Sequence, residues 1–167
     1  KVLGDEYAQI FSENRMQIMA KAKMKLGNDM SNWDISELND FRNILKKEQQ
    51  EKASNEAAAL KAKYQLPDIV GVSDKQTAYA DRLRYEFVTD NEYRMNELPY
   101  IINNLKDASF VAEKAQEIKK APEELKSLVL AELNSSILYR RAYAMLTKSS
   151  ARDIIDNLNN EPDAITL

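Results

Sequence analysis

Only three glycines and four prolines interrupt the 167 residues of this chain. Those are the strongest local breakers of regular structure, and Ala, Leu, Lys, Glu and Asn dominate what lies between them, so helix is expected nearly throughout. Alternating β-branched segments bounded by turn residues do not occur, and no strand is expected. The pattern predicts an all-α protein, an irregular helical bundle of six to eight helices with an N-terminal two-helix arm. The break that organises the rest lies at residues 66–84. Pro67 disfavours helix in the residue before it and carries no N–H. Gly71 then permits a bend. Ser73 with Gln76 three residues later reads as a capping box, from which a new helix starts at Asp74. This joint divides the chain into a helical arm at 1–65, a helical body at 66–160 and a tail at 161–167.

The first helix is expected from Asp5 to Leu26, with Tyr7, Ile10, Phe11, Ile18, Ala22 and Leu26 on an interrupted apolar face and Gly27 as its C′ residue. Asp34 caps the next, with Glu37 at N3 and Trp33 and Leu38 placed as a hydrophobic staple. Residues 46–56 are polar on every side and read either as a bridging helix or as a flexible joint, and as an internal boundary before weak helix resumes at Ala57, with Lys47/Glu51, Glu48/Lys52 and Lys52/Glu56 available as i,i+4 pairs. Thr89 with Glu92 suggests a second capping box, and Pro99 is expected to kink or split the helix that follows. Asp107 caps a further helix ending near Ala121. Pro122, Glu123 and Glu124 open another. From Leu125 to Leu146 the apolar residues wrap most of the way round, which predicts one central helix over 122–148 covered on more than one side. Ser150 with Asp153 starts a last short helix.

Composition excludes several chemistries. There is no cysteine and no histidine, so disulfides, thiolate nucleophiles, Cys/His zinc sites and imidazole acid–base catalysis are all out of reach. Carboxylate pairs such as Glu92/Glu97 and Asp153/Asp156 have no Glu-x-x-His pattern around them. Ser149 and Ser150 lack an activating base, and no Gly-rich phosphate loop is present. The expectation is therefore a protein that is not an enzyme, with no catalytic residues, no cofactor and no metal. No apolar run approaches the roughly 20 residues a bilayer span needs. No membrane association is expected, and the absence of cysteine and of a signal-like segment fits a cytoplasmic setting. With 24 Lys and Arg against 27 Asp and Glu, the net charge of −3 gives no general attraction to nucleic acid.

The candidate contact residues are basic and aromatic. Lys75, Arg82 and Arg84 flank one helix, and Arg140 and Arg141 stand beside Tyr139 and Tyr143 on another. Guanidinium groups next to aromatic rings suit phosphate contact with base stacking, or an interface hot spot. The competing reading is structural, with the arginines pairing with acids such as Asp81 or Glu132 and the tyrosines half-buried with wet hydroxyls.

Two stretches resemble other proteins. Gly71-Val-Ser-Asp-Lys-Gln-Thr-Ala-Tyr-Ala-Asp-Arg-Leu-Arg84 is similar to a helix-start pattern, Gly-Ser-x-Lys-Gln-x-x-Trp-Ala-x-x-Ile-Arg, of helical modules in phage, plasmid and conjugative-element proteins. Lys106-Asp-Ala-Ser-Phe-Val-Ala-Glu-Lys114 resembles their Asp-Ala-x-Phe-Trp-Ile stretch. Tyr79 and Val111 stand where those patterns carry tryptophan. The resemblance implies a mobile-element context and no particular activity. The function expected is non-catalytic binding of another protein, as an accessory or inhibitor protein of a phage or plasmid acting on a host factor. A nucleic-acid-binding module and a structural or assembly protein are the alternatives, and self-association into a homo-oligomer through apolar helix faces is compatible with the first and last.

Overall fold

A computed structural model describes residues 15–167, so the expected start of the first helix, with Tyr7, Ile10 and Phe11, lies outside the described residues. Eight α-helices and no strand make up the described chain: α1 Arg15–Leu26, α2 Ile35–Tyr64, α3 Asp74–Asp90, α4 Glu92–Lys106, α5 Ala108–Glu117, α6 Pro122–Asn134, α7 Ile137–Thr147 and α8 Ala151–Asn159, with a 3₁₀ turn at Met30–Asn32. The all-α expectation holds.

The contacts divide the chain into two compact units, Lys1–Glu56 and Ala57–Leu167. The division falls inside α2 rather than at residue 65, and burial explains why. Every residue over 46–56 is exposed, whereas Leu60 and Tyr64 farther along the same helix pack on the core of the second unit. The 46–56 stretch is thus helix and not a break, supported by Lys47–Glu51 and Lys52–Glu56 contacts at 4.0 and 3.9 Å. Such exposed pairs contribute only a few tenths of a kcal/mol each.

In the first unit Ile18 and Ala22 of α1 meet Trp33, Leu38, Phe41 and Leu45 in a small core. Gly27 ends α1 at φ +86°, donating to the Lys23 carbonyl, a conformation that glycine adopts without a Cβ penalty. Asp34 accepts the Ser36 N–H. Trp33 and Leu38 are both buried, as a staple requires, and the indole N–H donates to the Gly27 carbonyl at 3.0 Å. Glu48 faces Lys21 at 3.6 Å.

The second unit packs α3 against α8, α4 against α7, and α5 against α6. Its core comprises Ala80, Val88, Met95, Leu98, Leu133, Ala142, Met145, Ala151 and Ile154, closed by Leu66 and Ile165. The joint at 66–84 behaves as read, with one addition. Ser73 Oγ accepts the Gln76 N–H, while the Gln76 side chain reaches back to the Val72 N–H instead of that of Ser73. The loop is also clipped across the unit: the Val70 N–H donates to Ser149 and the Ala151 N–H donates to Val70, at 2.7 and 2.9 Å. Gly71 is needed there for space. A Cβ at that position would lie 2.5 Å from Thr77 Oγ1 and 3.2 Å from the Ala151 methyl.

Four local expectations change. The helix over 122–148 is two helices, because Ser135 Oγ donates to the Glu132 carbonyl and Ser136 Oγ caps the Tyr139 N–H. Paired serines there compete with the helical ladder. Thr89 is not a cap, since α3 continues to Asp90 and Asn91 takes the junction, its side-chain amide donating to the Phe87 carbonyl. Pro99 does not split α4. Asp107 does cap α5, accepting from Ser109 and Phe110, but that helix ends at Glu117, where Lys119 turns left-handed at φ +56°.

Candidate protein-interaction site

The residues flagged as contacts prove to be held by the chain itself, with two exceptions. Arg84 is 3% exposed. It donates to the Pro67 carbonyl at 2.6 Å and faces Asp81 at 3.5 Å. Burial pushes its guanidinium below the usual arginine range, opposed by the Asp81 charge. Arg140 donates to the Pro162 carbonyl and pairs with Glu161 at 2.7 Å. Arg141 donates to the carbonyls of Asn157 and Asn160, closing the end of α8. The Tyr143 hydroxyl donates to the Thr166 carbonyl at 2.7 Å.

Tyr139 donates its hydroxyl to Glu97, and Arg94 lies 5.6 Å from its ring centre. That hydrogen bond, with burial and the Glu97 charge behind it, pushes the phenol up to about 12. Lys75 and Arg82 alone of the seven are exposed on α3, with Asp74 and Asp81 exposed beside them and Arg82 stacked 5.3 Å from the Tyr79 ring. The five cations therefore offer no continuous basic face. Glu97 is engaged as an acceptor, and Asp156 faces Arg152. Among the described residues no group of carboxylates is placed to hold a metal ion, and no helix is long and apolar enough to cross a membrane.

The second unit also carries an apolar cleft. The Asp107 cap turns the chain back so that α5 lies beside α4, and Pro122 starts α6 against α5. Between the three helices opens a cleft of about 230 Å³. Its walls come from helical neighbours four apart: Ile101 and Leu105 on α4, Phe110 and Lys114 on α5, Leu125 and Val129 on α6. Leu105 and Val111 are buried, while Ile101, Phe110, Leu125 and Val129 stay half-covered. Leu128 on α6 and Tyr100 on α4 are 50% and 68% exposed. Asn104 and Lys114 supply the polar groups, and Lys114 is tied to Glu117 at 3.0 Å, which raises its pKa.

Lys114 and Asn104 are the polar side chains of a lining that is otherwise apolar. What it offers is burial of apolar surface, at about 25 cal/mol per Å² removed from water. Sequence reasoning missed it by reading the apolar run from Leu125 to Leu146 as a helix covered on more than one side. The signal was present in the run 125–146, too apolar all round for its neighbours to cover.

Compared with family models, with curated proteins and with solved structures, the chain matches none.

Proposed function

We propose that this chain is a non-catalytic binding protein whose partner is another protein, seated on the α4–α5–α6 cleft through aliphatic or aromatic side chains. The observation that carries the reading is the half-covered apolar wall of Ile101, Phe110, Leu125 and Val129, with Leu128 exposed one turn from Leu125 on the same helix. A half-covered aromatic, Phe110, among aliphatic side chains has the composition of an interface core, and a cleft between helices suits a partner helix laying down its apolar face. The resemblance at residues 71–84 and 106–114 gives the setting, an accessory or inhibitor protein of a phage or plasmid directed at a host protein.

Capture from nuclease-treated bacterial lysate, run beside a Leu128→Glu variant, tests this. Leu128 is half exposed, so the substitution leaves the fold intact while placing a charge on the patch. A defined protein retained by the wild type and lost from the variant is expected. Capture only of nuclease-sensitive material, or equal capture by both, contradicts it. The nucleic-acid reading retains only Lys75 and Arg82 as exposed cations from its original set. The assembly reading is tested by sedimentation across a dilution series, in which a concentration-dependent oligomer would favour it.

A further inference from the structure

Residues 161–167 were expected to form a tail, yet they lie in a built groove. The segment has no helical or strand partner, and its backbone groups are met by side chains. Asn134 at the end of α6 takes Ile165 from both sides, its Oδ1 accepting the N–H at 2.7 Å and its Nδ2 donating to the carbonyl at 3.2 Å. Asn157 on α8, itself buried, accepts the Asp163 N–H at 2.9 Å. Arg140 and Tyr143 on α7 donate to the carbonyls of Pro162 and Thr166. Ile165 is 2% exposed and joins the core, and Pro162 is buried as well. Two cations read two acids: Arg140 faces Glu161 at 2.7 Å and Lys148 faces Asp163 at 3.1 Å.

These are the parts of a peptide-recognition site. Fixed amides and donors grip the main chain whatever the sequence, buried sites three residues apart, at Pro162 and Ile165, choose the side chains, and charges select the flanks. We propose that the groove formed by α6, α7 and α8 binds extended peptide segments of the form acid–Pro–acid–x–Ile. The chain's own 161–165 segment occupies it, and a partner protein's segment of that chemistry displaces it. The site is separate from the α4–α5–α6 cleft and does not depend on it. Charge complementarity fixes the class of occupant, because Arg140 and Lys148 favour an acidic segment. The tethered segment competes at an effective concentration of about millimolar, so the groove opens to a partner only when the tether is weakened or outcompeted.

The test uses the full chain carrying Ile165→Lys, which removes the anchor of the tethered segment and leaves the groove residues unchanged. Its probe is a fluorescent peptide, Asn-Glu-Pro-Asp-Ala-Ile-Thr-Leu, followed by anisotropy. Saturable binding to the variant is expected, with none to the wild type at the same concentrations. Adding Asn134→Ala to the variant should weaken binding about tenfold, as loss of a paired main-chain contact does. A peptide with aspartate in place of isoleucine should not bind. A full chain carrying Glu161→Lys and Asp163→Lys, which changes only exposed side chains, opens the groove by repulsion from Arg140 and Lys148 and carries the same test where Ile165→Lys fails to fold. Folded variants of both kinds that ignore the peptide overturn the proposal. So does a stable wild-type dimer that Ile165→Lys dissolves, since the occupant would then be a second copy of this chain.

Discussion

At the scale of single residues, Arg84, Arg140, Arg141, Tyr139 and Tyr143 act as struts. Arg84 holds the loop before α3 by its bond to the Pro67 carbonyl. Arg84→Ala leaves that carbonyl without its donor in a part-buried site, and the expected cost is about 1–3 kcal/mol, read from the urea midpoint. Tyr139 makes a pH-dependent contribution. Its folded pKa, about 12, lies above the ordinary value of 10.0, so the contribution is complete below pH 10 and is lost as pH rises toward 12. Tyr139→Phe should therefore lose less stability than the wild type between pH 10 and 12, and equal losses would contradict the Glu97 bond. Lys119 holds a left-handed conformation at the end of α5, which costs an L-residue about 1–2 kcal/mol. Lys119→Gly is expected to raise stability by up to about 1 kcal/mol in the same urea assay.

At the scale of elements, the helix starts were the most legible part of the chain. Ser73, Asp107, Pro122 and Ser150 all stand at or just inside the helix starts that their chemistry predicts. A cap is a local interaction between a side chain and the next turn, so four residues carry its whole signal. Breaks set by tertiary packing were not readable in the same way. Thr89 and Glu92 have the spacing of a capping box, yet Val88 is buried in the core and α3 runs past Thr89 to Asp90, leaving Asn91 to open α4 at Glu92. Gly71 was read as a bend, but what demands glycine is the approach of Thr77 and Ala151. Gly71→Ala forces that approach apart and should cost about 1–3 kcal/mol. The placement of the 161–167 segment was invisible because its partners Asn134 and Arg140 are polar and lie 31 and 22 residues away. Its ion pair also predicts a pH effect. The Lys148 hydrogen bond, then Asn157, hold the Asp163 carboxyl below its ordinary 3.8. That support is complete above the ordinary carboxylate range and disappears as pH falls through the lowered value. Asp163→Asn should flatten the acid-side increase in exchange of the 161–167 amides.

At the scale of the whole molecule, the fold class followed from the scarcity of breakers and the absence of alternation, and the described residues bear it out. The candidate site followed less well. Sequence spacing brought cations and aromatics together, but it could not say that the chain's own carbonyls and carboxylates already occupy them. It read the apolar run at 125–146 as one covered central helix, whereas Leu125 and Val129 stay half-covered at the cleft. Under the proposed function a partner protein covers the α4–α5–α6 cleft. Hydrogen–deuterium exchange of the chain, alone and with the protein it captures, tests that most directly. New protection confined to residues 100–129, weakened in Leu128→Glu, is the predicted result. Protection centred on Lys75 and Arg82, with residues 100–129 unchanged, would contradict it.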